Sequence, residues 1–214
     1  MLKTQQRWLW RKRGEKCVKN LRKHGFEAHL IDTLDEASDM ILEMVSEYDS
    51  FAFSGSDTTR EMGLPRALKE MGKEIFDHWE NGFSIEESLE IRKKQLGADC
   101  FFCSANAISL TGEIVNVDGV GNRTSGMAFG PRKVVIVAGM NKVTSDLDSA
   151  LKRVREVAAP MRANSLKMET PCANTGICVD CNHEQRLCRI TTILHREPML
   201  TDVTVVLINQ PLGF

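Results

Sequence analysis

The sequence predicts a single α/β domain: a mostly parallel sheet with helices on both faces, a central β-hairpin and a cysteine-rich segment near the C-terminus. Three observations carry that prediction. Short apolar strands alternate with helical patterns along most of the chain, as in domains built from β-α-β units. Within residues 133–139 (KVVIVAG) the β-branched and apolar residues fall on both faces, as they do in a strand covered on two sides. Thr111-Gly112 separates two short apolar runs, 107–110 and 113–117, which reads as a hairpin.

At 214 residues the chain is long enough to bury one proper core. A formal net charge of −1 argues against nucleic acid or a membrane surface as the partner of the whole body. No apolar run approaches the length that crosses a bilayer. The start, MLKTQQRWLWRKRG, lacks the apolar stretch of a secretory signal, and it is too poor in serine for a good organellar transit peptide. The expected location is the cytoplasm.

Residues 1–24 read as a basic helical arm, with nine Lys or Arg and one acid, Glu15, between Lys3 and Lys23. Trp10, Cys17, Val18 and Leu21 can share one face of that helix, so it either packs on the domain or offers its charge to an acidic partner. Residues 25–214 read as the α/β domain. Strand 27–31 precedes Thr33-x-x-Glu36, a capping box for a helix with Ala37, Ile41, Leu42 and Val45. Strand 50–53 runs into Ser54-Gly55-Ser56-Asp57-Thr58-Thr59. Backbone N–H groups and hydroxyls at such a turn suit a phosphate or carboxylate, although the Gly-Lys-Ser/Thr element of a P-loop is missing. Ser56 or Thr58 capping the next helix is the alternative.

A helix over 64–71, a short strand 74–76 and a second capping box, Ser84-x-x-Glu87, opening helix 85–96, follow in turn. Cys100 and Cys103 lie on the buried strand 100–104, where their odd separation points them to opposite faces. They therefore read as core thiols. Asp118-Gly119, Gly121-Asn122-Arg123 and Gly130-Pro131 mark a loop. Ser145 is placed to cap a helix over 146–159 that stops before Pro160. Strands 191–195 and 201–208 are expected to return the chain to the sheet.

Ligands of open α/β sheets bind outside the carboxyl ends of the strands, which singles out Asn141 and Lys142 after strand 133–139. Together with Gly55, Ser56 and Thr58 on one loop, and Asp118, Asn122 and Arg123 on another, they define an expected pocket for a small anionic metabolite. Arg123 offers a two-pronged guanidinium and Lys142 a point charge. Asp118 is the first choice for a general base and Glu113 the second. Each has a plainer alternative: Asp118 in a turn, Arg123 in a surface ion pair, Asn141 as a cap, Glu113 exposed on the hairpin.

Cys172, Cys178, Cys181 and Cys188 are spaced C-x5-C-x2-C-x6-C. Four thiolates so close suit a tetrahedral zinc ion or an iron–sulfur cluster, and the spacing leaves both open. Reduced thiols without metal are the alternative. The chain has no nicotinamide fingerprint, since Gly119-x-Gly121 lacks the third glycine and follows a hairpin.

These motifs carry a resemblance. Gly-Ala-Asp at 97–99, Ser104-Ala105-Asn106-Ala107, Gly112-x-Ile114-Val115-Asn116, Asp118-Gly119-x-Gly121-Asn122-Arg123 and Gly139-x-Asn141-Lys142 resemble the LUD (lactate-utilisation) domain family. Thr175-Gly176-x-Cys178-x-Asp180-Cys181 and Arg186-x-Cys188 resemble its cysteine-bearing branch. The sequence departs from many relatives at Asn209-Gln210-Pro211-Leu212-Gly213, where an acidic residue often precedes Leu-Gly. The resemblance implies a fold similar to the phosphosugar-isomerase and CoA-transferase superfamily. It implies a role in oxidising L-lactate or a related hydroxy acid alongside iron–sulfur partner proteins. The alternatives are a stand-alone transferase or isomerase acting on a CoA ester or sugar phosphate, and a metal- or redox-sensing module.

Overall fold

A computed structural model describes residues 4–80 and 82–214. Residues 1–3, the start of the expected basic arm, lie outside the described residues. Six strands form one parallel sheet: β1 (Glu27–Ile31), β2 (Ser50–Phe53), β3 (Glu74–Asp77), β4 (Cys100–Cys103), β7 (Lys133–Gly139) and β10 (Asp202–Ile208), in the order β1-β10-β7-β4-β2-β3. The hairpin strands β5 (Ala107–Ser109) and β6 (Ile114–Asp118) belong to a second sheet. β8 (Val143–Thr144) and β9 (Ile190–Leu194) complete it, in the order β8-β5-β6-β9. The strand expected near 191–195 therefore pairs with β6 and not with the main sheet. Its exposed Thr191 and half-buried Thr192 suit an edge, whereas β10 is buried from Val203 to Ile208.

The two faces of the main sheet are covered differently. Strand alternation sends Phe101 and Cys103 to one side and Cys100 and Phe102 to the other, and each pair joins a separate core cluster. Cys100 and Cys103 are thus buried core thiols, and burial pushes the Cys103 thiol up to about 12. On the Cys103 side lie α1 (Thr4–Lys23), through Cys17, Val18 and Leu21, and the second sheet, through Ile108, Ile114, Val143 and Leu194. On the Cys100 side lie α2 (Leu34–Met44) and α4 (Leu64–Glu70), with α3 (Asp57–Glu61) immediately preceding α4 in the chain. Phe53 and Phe102 stack there with ring centroids 5.0 Å apart. The basic residues of α1 mostly face outward, while Gly14 lies where any Cβ would meet Leu30 at 2.7 Å.

Helix ends follow the sequence with two exceptions. Ser84 and Glu87 form a reciprocal capping box at the start of α5 (Ile85–Gln95). Thr33 accepts from the Glu36 N–H at 3.3 Å. α6 (Asn122–Gly126) follows β6. The helix expected over 146–159 is capped by Asp146, which accepts from the Ser149 N–H at 2.8 Å, and not by Ser145. Nor does it stop before Pro160. α7 (Leu147–Arg153) passes through a π-turn, Val154–Ala158, into α8 (Ala159–Ser165), whose first turn carries the proline. Proline removes an N–H and crowds the preceding turn. A wide π-turn immediately upstream, followed by a fresh helical first turn, accommodates both effects. α9 (Pro171–Thr175) opens the cysteine segment.

Candidate functional site

The main sheet sends the chain from β2 outward to β3 and from β4 the other way toward β7. A crevice opens where neighbouring strands diverge in this way. A cleft of about 230 Å³ lies there, and four strands deliver residues to it from their carboxyl ends. Ser54, Gly55 and Ser56 follow β2, His78 and Trp79 follow β3, Ser104 follows β4, and Lys142 follows β7 through the 3-10 turn Met140–Lys142. Arg92 of α5, Asn122 and Arg123 of α6, and Arg162 of α8 close it from the sides.

Trp79 organises one wall. The Arg60 guanidinium lies 4.8 Å and that of Arg162 4.6 Å from its ring centre, within cation–π range. Arg60 is held by Asp77 through two bonds, 2.7 and 2.6 Å. Gly55 has φ +77°, and a Cβ there would come within 2.7 Å of the indole. Only glycine takes both the left-handed backbone and the close approach without strain.

The cleft is cationic. Arg92, Arg123, Lys142 and Arg162 line it against Asp57 and Asp118, and Asp57 is already paired with Arg162 at 3.0 Å. Three side-chain atoms of cleft residues, Ser54 Oγ, Arg92 Nε and Arg123 Nε, are buried and have no hydrogen-bond partner among the described residues. All three can donate, and a buried donor without a partner is costly. Lys142 is 4 % exposed, and its Nζ lies 2.9 Å from Ser104 Oγ. Burial, then the charges of Arg153 and Arg123, push its amine down to about 7. Burial and the charge of Arg92 push His78 down to about 4, so it is neutral at physiological pH. Its Nδ1 lies 2.9 Å from Gln95 Nε2.

Of the residues singled out in the sequence, Gly55, Ser56, Thr58, Asp118, Asn122, Arg123 and Lys142 all line the cleft. Ser56 also caps α3. Asn122 donates to Gln95 Oε1 at 3.3 Å. Asp118 uses both carboxylate oxygens on its own loop, accepting from the Val120 N–H at 3.1 Å and the Arg123 N–H at 2.9 Å. Arg123 donates to the Val117 carbonyl, anchoring that loop to β6. Two residues stand elsewhere. Glu113 sits in the β5–β6 turn, accepting from the Thr111 hydroxyl at 2.5 Å. Asn141 faces the C-terminal segment, accepting from the Leu212 N–H at 3.0 Å and donating to the Gly213 carbonyl at 3.2 Å. Neither is a cleft residue. Each side chain has another partner: Glu113 the neighbouring Thr111 hydroxyl, and Asn141 the backbone of the distant C-terminal segment.

Sequence reading named Ser54 and Ser104 only within longer motifs and did not single out His78, Trp79, Arg92 or Arg162. The strand-end rule that found Lys142 also finds Ser54, His78, Trp79 and Ser104 when it is applied to β2, β3 and β4. Arg92 and Arg162 reach the cleft from helix interiors and carry no local signal.

Next to the cleft is a second cavity, of about 300 Å³, lined by Cys172, Cys178, Cys181 and Cys188 together. All four are free thiols and partly exposed. The segment is tied by Arg186, which donates to the carbonyls of Cys181 (2.5 Å) and Cys188 (2.9 Å) and to Asp180 (2.7 Å). Val117, Val154, Ala159 and Cys188 line both cavities and form the partition between them.

A family model described as the LUD domain matches residues 14–208. The fold is similar to the crystal structure of a DUF162-family protein from Deinococcus radiodurans. The two are 14% identical with a TM-score of 0.52, and the match covers 94% of this chain and 98% of that one. No curated protein matches the chain.

Proposed function

The chain belongs to the LUD-domain family, which is linked to lactate utilisation, and from that premise we propose that its cleft holds a small carboxylate, L-lactate or a related hydroxy acid. In this reading the protein is an accessory component of hydroxy-acid utilisation that works with iron–sulfur partner proteins. Its own four cysteines form a metal site, of zinc or iron–sulfur type. The observation that carries the anion reading is the convergence of Arg92, Arg123, Lys142 and Arg162 on one cleft, opposed only by Asp57 and Asp118, with Asp57 already paired to Arg162. A carboxylate is the small anion whose acceptor oxygens match guanidinium and ammonium donors.

Lys142 and Ser104 are the groups that carry chemistry. An amine poised near 7 exchanges protons at physiological pH. Protonated, it adds a charge to the anion site. Neutral, it accepts a proton from a bound hydroxyl. Asp118, both of whose oxygens brace the loop, serves to position Arg123.

Titration calorimetry with L-lactate, pyruvate and inorganic phosphate tests the reading. The parent protein binds the carboxylates, and Arg123→Ala and Lys142→Ala each weaken binding tenfold or more. Equal affinity in parent and both variants, or no binding by the parent, ends the proposal. A second reading, a stand-alone isomerase or transferase on a sugar phosphate or CoA ester, is favoured by the buried Lys142–Ser104 contact. Turnover of such a substrate by the isolated chain selects it. Reversible thiol oxidation with metal loss and no turnover selects a redox-sensing module instead.

A further inference from the structure

We infer that His78 presents a fixed N–H donor, from Nε2, to the hydroxyl or keto oxygen beside the ligand's carboxylate. The inference rests on the carboxylate reading of the cleft and names the residue that tells a hydroxy or keto acid from a plain one.

Gln95, the last residue of α5, sets the imidazole. Its side chain is fully buried, with Nε2 2.7 Å from the Phe53 carbonyl oxygen, 2.9 Å from His78 Nδ1 and 3.1 Å from the Phe76 carbonyl oxygen. Carbonyl oxygens only accept, so the amide has to turn its NH2 group toward them. Its oxygen faces Asn122, which donates to it at 3.3 Å. The group facing His78 Nδ1 is therefore a donor, and Nδ1 accepts from it. A neutral imidazole that accepts at Nδ1 carries its proton on Nε2. Phe53 ends β2, and Phe76 lies one residue before the end of β3. The sheet itself thus dictates the tautomer.

The surroundings hold the ring neutral. A second proton would have to sit on Nδ1, against the Gln95 NH2 group. Burial and then the charge of Arg92 disfavour the imidazolium, and Arg60 adds to them. Asp77 and Asp118 favour it, but Asp77 is held by Arg60 and Asp118 by N–H groups of its own loop. His78 borders the cleft, and with Nδ1 turned to the buried amide the Nε2 edge is the one left for a ligand. Arg92, Arg123, Lys142 and Arg162 supply the positive charge that a carboxylate needs. A neutral N–H matches an uncharged oxygen instead. It discriminates because a ligand without that oxygen leaves the donor unpaired.

The test pairs nitrogen NMR of the full chain, isotope-labelled at histidine, with calorimetry against pyruvate and against propionate, which lacks the second oxygen. His78→Phe removes the donor and identifies its signals among the five histidines. His29→Phe, outside the cleft, is the control. The expected spectrum shows His78 neutral and protonated at Nε2 across roughly pH 5 to 8. The parent prefers pyruvate to propionate about 3–10-fold. That ratio falls to near one in His78→Phe and persists in His29→Phe. Gln95→Met, which removes the amide, lets the Nδ1-protonated tautomer appear and lowers the same ratio. If that variant fails to fold, the parent spectrum and His78→Phe decide. A charged or Nδ1-protonated His78 in the parent at neutral pH overturns the inference. So does equal affinity of the parent for the two acids, or a ratio unchanged in His78→Phe, and each of these leaves the carboxylate reading standing. Binding of neither acid overturns both.

Discussion

The cleft and the cysteine cavity share a wall but are built in opposite ways. The cleft takes residues from the ends of four strands of one sheet, and polar side chains such as Asp57, Asp118, Asn122, Lys142 and Arg162 are held by hydrogen bonds or ion pairs within the protein. The cysteine cavity is formed largely by the segment between α9 and β9, which has little regular structure. Its visible tie is Arg186, bonded to two cysteine carbonyls. The first site is preorganised by the fold. The second is held by few contacts of its own; under the metal-site proposal, metal–thiolate bonds would supply the missing folding free energy.

Substitutions at the two sites should therefore separate. The largest effect is expected at Gly139, at the end of β7, where a Cβ would sit 2.5 Å from the Leu212 nitrogen and 2.6 Å from the Gln210 carbonyl oxygen. Gly139→Ala pushes against these two backbone atoms and against the Asn141 Oδ1, also at 2.5 Å, and should cost about 3 kcal/mol in denaturant unfolding. An unchanged midpoint would refute the rigid seating of the segment behind Lys142. Gly55→Ala comes next. Strain at φ +77° and the clash with Trp79 should cost about 1–3 kcal/mol and at least tenfold in carboxylate affinity.

At the other site, Arg186→Gln should leave the unfolding of the main sheet within about 0.5 kcal/mol of the parent. Metal retention, measured by competition with a chelator, should fall roughly 10–100-fold. A large loss of global stability with metal binding intact would reverse the comparison.

The smallest effect is one of pH. Lys142 has its amine pushed down to about 7 from an ordinary value of 10.5. Between those values the unfolded chain binds the proton that the folded chain releases, so this residue's contribution to stability rises with pH across that window. Its penalty is full below pH 7. Lys142→Met should accordingly raise the thermal midpoint more at pH 6 than at pH 10. Carboxylate affinity of the parent should fall as pH rises through 7, and Lys142→Arg should flatten that dependence.

Much of this was legible in the chain. The strands were visible because β4 and β7 after Lys133 are continuously apolar, and the cleft loops because Gly55 and Gly121-Asn122-Arg123 lie just beyond strands. Arg92 and Arg162 were not legible, since a lone arginine in a helix reads as a solvated face. Only tertiary packing turns these two inward over Trp79 and His78. β9 was seen as a strand but assigned to the wrong sheet, because apolar pattern marks a strand without naming its neighbour. Asn141 and Glu113 drew attention through their position beside strands, yet their side chains went to nearby backbone or hydroxyl groups.

The π-turn at Val154–Ala158 fixes an angle. It adds one residue to what would otherwise be a continuous helix, and one residue is about 100° of rotation about the axis. Everything downstream inherits that phase. Arg162, which meets Trp79 and Asp57, points where it does because the extra residue turned it there. Deleting one residue from the turn would keep the helix and its composition while swinging Arg162 out of register with the cleft and Ala159 off the partition. A shortened relative with every cleft residue intact would then present a different binding surface.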